Sequence, residues 1–354
     1  MSVLLRRGWE RASSRPLVWL TWVIAIDAVF AMIGVILGGK FNLTALLSVG
    51  PLLACARVGG RATAVISLYA LVLCAIVGAI TGTFSTTMQR ERLLIVLMVS
   101  ALAVIVALIR ARRENRLIAI ADRVQRAILR PLPTELGGIA FASRYHSATP
   151  GTLVGGDLYD LTMTQFGPRF IIGDVKGKGL DAVGRCAAVI ATFREFAFAE
   201  PDLVRLAEQV DARLSTEMGI EDFVTAIFAE FGTGEVRLVN CGHEPPLKTG
   251  PSVVSGELET ITLEAGALPL GLHPQPIRQD VVLKQGDRLL FYTDGLVESR
   301  DRSGQFLELD NRLAEALAAP DLDACLQCVG GLLLAHAGDR LLDDVLLVAC
   351  EPLG

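Results

Sequence analysis

The polar part of this sequence has no clustered basic face, and the whole chain carries a formal net charge of −5. Nucleic-acid binding, which needs cations massed against phosphates, is therefore not the expected function. A second Cys-x-x-Cys pair is also missing. Cys325-Leu326-Gln327-Cys328 stands alone on an expected helix, so a four-ligand zinc site cannot be completed and core packing is the reading for that pair. The other cysteines, Cys55, Cys74, Cys186, Cys241 and Cys350, make up an odd set of 7 scattered through apolar stretches, which reads as reduced thiols. Neither an internal repeat nor a polar pathway runs through the apolar segments, which weakens a transporter or channel reading. No small-residue cleavage site follows the first apolar run, which is too long for a signal peptide, so no cleaved leader is expected.

What is present in excess is apolar sequence. Hydrophobic residues make up 52% of the 354 residues, and most of the long runs lie in the first 110 positions. Leu17 to Leu37, Ala62 to Ile80 and Leu93 to Ile109 approach the ~20 residues needed to cross a bilayer core. Phe41 to Ala56 is shorter and contains Gly50-Pro51, leaving a kinked span and a re-entrant segment as its two readings. With four spans, Arg6, Arg7, Arg11 and Arg15, then Arg57 and Arg61, then Arg110, Arg112, Arg113 and Arg116 all face the cytoplasm. The opposite loops hold Lys40, and Arg90 with Arg92. The expected organisation is a cytoplasmic N-terminus over 1–16, transmembrane helices over 17–110, a helical linker over 111–133 and a catalytic domain over 134–354. The location is a multi-pass plasma membrane protein with that domain in the cytoplasm. Asp27 lies within the first span, where it is either paired or protonated among helices or reads a proton or ligand. The loops outside are too short for a folded sensor domain.

The linker from Arg110 to Arg130 is polar and helical, with Leu117, Ala121, Val124 and Ile128 as a short apolar seam that Pro131 and Pro133 end. Two readings are open: the helix docks on its own catalytic domain, or it pairs with a second copy in a homodimer.

Beyond the linker the chain is organised around Gly155 to Val183. Asp157 in Gly-Gly-Asp-Leu-Tyr-Asp and Asp174 in Gly-Asp-Val-Lys-Gly-Lys-Gly fall on consecutive strands, with a turn expected at Gly167-Pro168. A carboxylate at a strand end, a glycine-spaced loop and then a helix from Leu180 to Phe198 suit a hard cation and a phosphate oxygen. Strands are expected at Ile139 to Tyr145, Phe223 to Glu230, Glu235 to Asn240, Glu257 to Leu263, Ile277 to Leu283, Arg288 to Tyr292 and Asp344 to Cys350. Helices are expected at Asp202 to Met218, Leu309 to Ala318 and Leu322 to Leu334. The pattern is α+β, an antiparallel β-sandwich flanked by helices, behind an all-α membrane region.

Six stretches carry a resemblance: Gly155-Gly156-Asp157, Gly173 to Gly179, Asn240 to Pro246, Pro269-Leu270-Gly271, Tyr292-Thr293-Asp294-Gly295 and Asp343-Asp344-Val345. In this order they resemble the motifs of the bacterial metal-dependent PP2C-like serine/threonine phosphatases of the SpoIIE/RsbU type, from roughly Asp122 onward. The Gly-Gly-Asp-Glu-Phe signature of diguanylate cyclases is not matched, because Leu158-Tyr159 follows the aspartate. The resemblance implies the PP2C-like fold and two Mn²⁺ or Mg²⁺ ions held by Asp157, Asp174, Asp294, Asp343 and the backbone carbonyl of Val175. An oxygen-only set favours such ions over zinc. Activated water then replaces a side-chain nucleophile, and the expected substrate is a phosphorylated regulatory protein of the anti-sigma-factor-antagonist class.

Lys176 stands where the family more often has a small polar residue, and Lys176 and Lys178 are either phosphate contacts or solvated surface cations. His243 either shapes a turn or donates a proton. Asp181, Glu244, Ala267 and Leu346 also depart from the family pattern, the last removing a threonine that would support Asp343. The alternative from another class is a membrane receptor or scaffold that keeps the fold without turnover.

Overall fold

The computed structural model describes residues 16–37, 42–148, 155–177, 179–219, 222–253, 258–261, 263, 268–338 and 341–353. The chain divides into two compact units, Met1–Arg116 and Leu117–Gly354.

The first unit contains α1 (Pro16–Ile36), a 3-10 segment (Asn42–Ser48), α2 (Val49–Arg57), α3 (Gly60–Ile80) and the first part of α4 (Thr87–Ile128). Its interior mixes apolar residues such as Leu47, Ile66 and Val77 with small and polar ones. Ala31, Ala54, Ala70, Ala103 and Ala107 are buried with Asp27, Thr63, Ser67, Gln89 and Ser100, while Trp22, Met32, Val65, Leu68 and Met98 face outward. Large apolar side chains outside and polar groups inside depart from the usual distribution of a water-soluble domain, and small residues at the contacts allow helices to approach closely.

The 3-10 segment and α2 return along α1. The Gly50 N–H donates to Asp27 Oδ1 at 3.2 Å midway, and the Arg57 guanidinium lies 5.7 Å from the Trp19 ring centroid near the start of α1. Three helices are long and apolar enough to cross a membrane, with 45–57 as a shorter apolar helix.

In the second unit, two antiparallel sheets pack face to face. One has the order β1 (Glu135–Leu136), β2 (Ile139–His146), β11 (Val345–Pro352), β10 (Arg288–Tyr292), β7 (Leu247–Thr249) and β8 (Glu259–Thr260). The other has the order β3 (Asp157–Thr164), β4 (Gly167–Val175), β5 (Val224–Gly232), β6 (Glu235–Cys241) and β9 (Arg278–Val282). The two-residue side-chain period produces the layering. Along β11, Leu346, Val348 and Cys350 enter the core between the sheets, whereas Val345, Leu347 and Ala349 face α7 (Asn311–Leu317) and α8 (Leu322–Ala337). On the other side, Ile171 and Val175 of β4 pack with α5 (Leu180–Ala199) and α6 (Leu203–Ser215). The result is a helix–sheet–sheet–helix sandwich, as the series of short strands and paired helices predicts.

Several boundaries differ from the sequence reading. The β3–β4 turn is Gln165-Phe166 rather than Gly167-Pro168: Thr164 Oγ1 donates to the Gly167 carbonyl at 2.9 Å and accepts the Phe166 N–H at 3.1 Å, closing a two-residue hairpin. Only Glu259–Thr260 forms a strand in the region expected from Glu257 to Leu263, of which 257 and 262 lie outside the described residues. The linker seam is split. Ala121 is buried and Ile128 packs on the core beside α5, while Leu117 and Val124 are exposed. A helix docked on a domain cannot turn four seam positions to one partner when its inner stripe is 121, 125 and 128.

One arginine in each sheet fixes a helix corner. Arg169 of β4 is fully buried; it donates to Glu230 Oε2 at 2.7 Å and to the carbonyls of Ala197, Glu200 and Pro201 at 2.9, 2.5 and 2.8 Å, closing the α5–α6 corner. Arg288 of β10 donates to Glu351 and to the carbonyls of Leu317, Ala319 and Pro320, closing the α7–α8 corner. In each corner an aspartate after the proline, Asp202 or Asp321, caps the next helix. Each arginine thus satisfies helix-end carbonyls that have no intrahelical partner. Arg169→Leu is expected to destabilise the second unit by about 3–5 kcal/mol, since it strands three carbonyls and removes one partner of buried Glu230. An unfolding midpoint in urea equal to wild type would refute this.

Candidate functional site

Asp157 is the first residue of β3 and pairs in register with Asp174, the penultimate residue of β4. The hairpin alone therefore brings two carboxylates to one end of the sandwich. Gly156 precedes them with its N–Cα–C against β4: a Cβ there would overlap both the Val175 carbonyl oxygen and Asp174 Oδ1. Those two oxygens converge on space that only glycine leaves open. The Gly156 carbonyl accepts the Val175 N–H at 2.9 Å and faces the Cys186 thiol at 3.2 Å, so α5 supports the turn from behind. From the other side, Gln125 of α4, which is 1% exposed, accepts the Gly155 N–H at 3.2 Å.

The second pair of acids comes from the other sheet. Thr293 directly follows β10: its hydroxyl donates to Asp157 Oδ2 at 3.2 Å and accepts the Leu346 N–H at 2.9 Å. Asp294 follows, and Gly295 lies so close to the Asp344 carbonyl that no side chain fits between them. Asp343 and Asp344 separate at this point. Asp344 is buried and takes the Ser147 hydroxyl at 3.0 Å and the Ala148 N–H at 2.8 Å on Oδ1. Asp343 is half-buried and receives the Asp344 N–H at 2.9 Å.

Electrostatics follow this geometry. Burial, then the charges of Asp174, Asp344 and Asp294, hold the Asp157 carboxyl well above the usual range. Burial, then Glu298 and Asp343, push Asp294 up to about 6. The acids are within electrostatic reach of one another, yet among the described residues no three of them close into a group gripping one ion. The donor chemistry nevertheless suits hard cations: carboxylates and a backbone carbonyl, with the Gly156 space open between two of the oxygens. Asp157, Asp174 and the Val175 carbonyl are the residues that would hold one ion, with Asp294 and Asp343 beside them.

The remaining sequence expectations have definite places. Lys176 is exposed, its Nζ 5.2 Å from the Phe223 ring centroid, on a loop whose carbonyl Arg185 holds at 3.2 Å. Lys178 lies outside the described residues, as does Ala267. Asn240 closes a turn on itself by bonding the His243 N–H and carbonyl. His243 is buried and its Nδ1 meets the Thr225 hydroxyl at 2.9 Å, Thr225 being the register partner of Asp174. Burial holds the imidazole down at about 4, so at neutral pH it is uncharged and acts as a strut. Leu346 fills the core between the sheets, and its backbone N–H donates to the Thr293 hydroxyl that bonds Asp157.

Sequence reasoning missed Tyr145, Thr293, Asp344 and Gln125 as parts of the site. The Tyr145 hydroxyl and Asp344 Oδ2 both border the space where Gly155 lacks a side chain, and burial followed by the charges of Asp157 and Asp344 holds the phenol above its usual range. The signals were present only as neighbours: Thr293 beside Asp294, Asp344 beside Asp343, and Tyr145 at the end of the strand before the glycine pair.

Comparison with known proteins bears on the fold that carries this geometry. The family described as Stage II sporulation protein E (SpoIIE) matches residues 166–352, more than half of the chain. The crystal structure of the RsbU and RsbW domains of Rv1364c from Mycobacterium tuberculosis is similar with 28% identity and a TM-score of 0.53, covering 61% of this chain and 60% of that one. The match thus spans less than two thirds of that relative's length. The SiaA-PP2C domain of Pseudomonas aeruginosa is similar in fold, with 18% identity and a TM-score of 0.57 over 68% of this chain and 97% of that one. This chain belongs to the SpoIIE family, and its second unit has the fold of the PP2C-type serine/threonine phosphatases.

Proposed function

We propose that this protein is a membrane-anchored phosphatase that hydrolyses phosphoserine or phosphothreonine on a regulatory phosphoprotein of the anti-sigma-factor-antagonist class. The observation that carries the reading is the convergence of Asp157, Asp174 and the Val175 carbonyl at Gly156, joined to the Asp294–Asp343 side through Thr293. Two Mn²⁺ or Mg²⁺ ions held at these residues would supply an activated water and neutralise charge on the phosphoryl oxygens. Asp157 and Asp174 from one sheet, and Asp294 and Asp343 from the other, are the ligands. Thr293 keeps Asp157 turned toward the ions, and Lys176 stands at the loop to meet a phosphoryl oxygen.

Membrane anchoring is supported by the large apolar side chains that face outward from the first unit. Crossing by 42–57 is supported by its return from the end of α1 to Trp19. Seven 3-10 residues and nine α residues give a path of roughly 27 Å, near the bilayer core's thickness, and four crossings keep both ends of the unit in the cytoplasm. A homodimer is supported by the outer stripe of α4: Leu117, Ile120, Val124 and Ala127 are exposed at three- and four-residue spacing while Ala121 and Gln125 are buried.

Three outcomes are expected. Asp174→Asn in the full-length protein abolishes Mn²⁺-dependent release of phosphate from a phosphoserine peptide, and chelator does the same to wild type; metal-independent turnover would sink the reading, and its complete absence in wild type would favour the scaffold. Thr293→Val lowers turnover about 10–100-fold, whereas Thr293→Ser keeps most of it; equal rates for wild type and Thr293→Val would remove the assigned role. Val124→Cys forms a disulfide-linked dimer under mild oxidation that Gln125→Cys does not, and a monomer in both would count against pairing through α4.

A further inference from the structure

Two arginine groups of the first unit, Arg57 with Arg61 and Arg110 to Arg116, come together. Arg110 of α4 donates to the carbonyls of Cys55 at 2.9 Å and Val58 at 3.2 Å, capping the C-terminal end of α2 and pinning α4 to the α2–α3 corner. This contact gathers Arg57 and Arg61 of the corner with Arg110, Arg112, Arg113 and Arg116 of α4. Against these six cations the same segments hold one acid, Glu114, and it is paired to Arg110 at 3.4 Å. Arg61, Arg112, Arg113 and Arg116 are all exposed. Positions 112, 113 and 116 are one, three and four residues apart, so they share a helix face. In the turns just before the cations, Leu52 and Leu53 of α2 and Leu108 and Ile109 of α4 are exposed. Apolar outward side chains thus lead directly into a cationic collar. A partner that meets both must be apolar along its length and anionic at its end.

We infer that this collar is a binding surface for anionic phospholipid, with the headgroup phosphate on Arg112, Arg113 and Arg116 and the acyl chains along the outward faces of α2 and α4. The inference rests on the membrane reading of the first unit. Guanidinium forks bond phosphate oxygens bidentately, and each arginine near an anionic surface strengthens association roughly fivefold. Topology alone would need only the positive charge count, without any lipid preference.

The test uses the full-length protein reconstituted in nanodiscs of phosphatidylcholine mixed with phosphatidylglycerol. Lipid that stays bound after detergent extraction is then identified by native mass spectrometry at low and high salt. Wild type is expected to retain phosphatidylglycerol over phosphatidylcholine, with the preference falling as salt rises. The triple variant Arg112→Gln, Arg113→Gln, Arg116→Gln should lose about 100-fold of that preference. Arg90→Gln, at an exposed position outside the collar, should keep it, as should Lys at the three positions in part. Equal retention of both lipids by wild type, or an unchanged preference in the triple variant, overturns the inference while leaving the membrane reading intact. Failure of the protein to stay with membranes after a carbonate wash would instead overturn the membrane reading.

Discussion

Two like charges held side by side at the buried end of a hairpin set the terms for the second unit. Asp157 and Asp174 face each other in the β3–β4 register, and Asp157 is 3% exposed. A carboxylate in that position is costly unless neighbours or cations stabilise it. The surrounding structure is arranged to hold it rather than to relieve it: Thr293 bonds one oxygen, Gly156 brings backbone within reach, and the acids of the opposite sheet add further negative field. A site of this kind stores unfavourable charge proximity that a divalent ion would convert into binding.

Holding the acids requires that both sheets be fixed against each other at that end. Strand β11 does most of this, because it pairs with β2 along its full length and with β10 beside it, then presents Asp343 and Asp344 at its start. The arginine clamps do the corresponding task for the helices. Arg169 and Arg288 each anchor a corner to a sheet through carbonyls that the helices cannot satisfy themselves. The corners are thus held by contacts other than those of the acids, which leaves the acidic end free to be electrostatically strained.

The first unit solves the opposite problem. Its side chains turn polarity inward, so Asp27 against Gly50 and Gln89 against the Cys74 carbonyl occupy places where a larger neighbour would not fit. Away from water, each such polar group finds its partner within the bundle or goes without. The arginine collar then marks where the apolar surface stops.

The strand that leads to Asp174, the strand from Asp344 to Cys350, the helix from Leu180 and the aspartates in four of the six motifs were legible in the sequence. Each depends on spacing within a few residues or on residue types kept at a motif. The apolar runs of the first 110 positions were legible for the same reason. Which of Asp343 and Asp344 turns inward, that Thr293 bridges to Asp157 across 136 positions, and that Gln125 reaches Gly155 across 30 were not. These contacts are set by how two sheets and a helix come together. The linker shows the division within one helix: its apolar positions announced a helix with something to bury, but only the packed domain decided that 121, 125 and 128 face inward and 117 and 124 outward. Local pattern fixes which faces exist; the fold decides which partner each face meets, because that choice is made by contacts far apart in the chain.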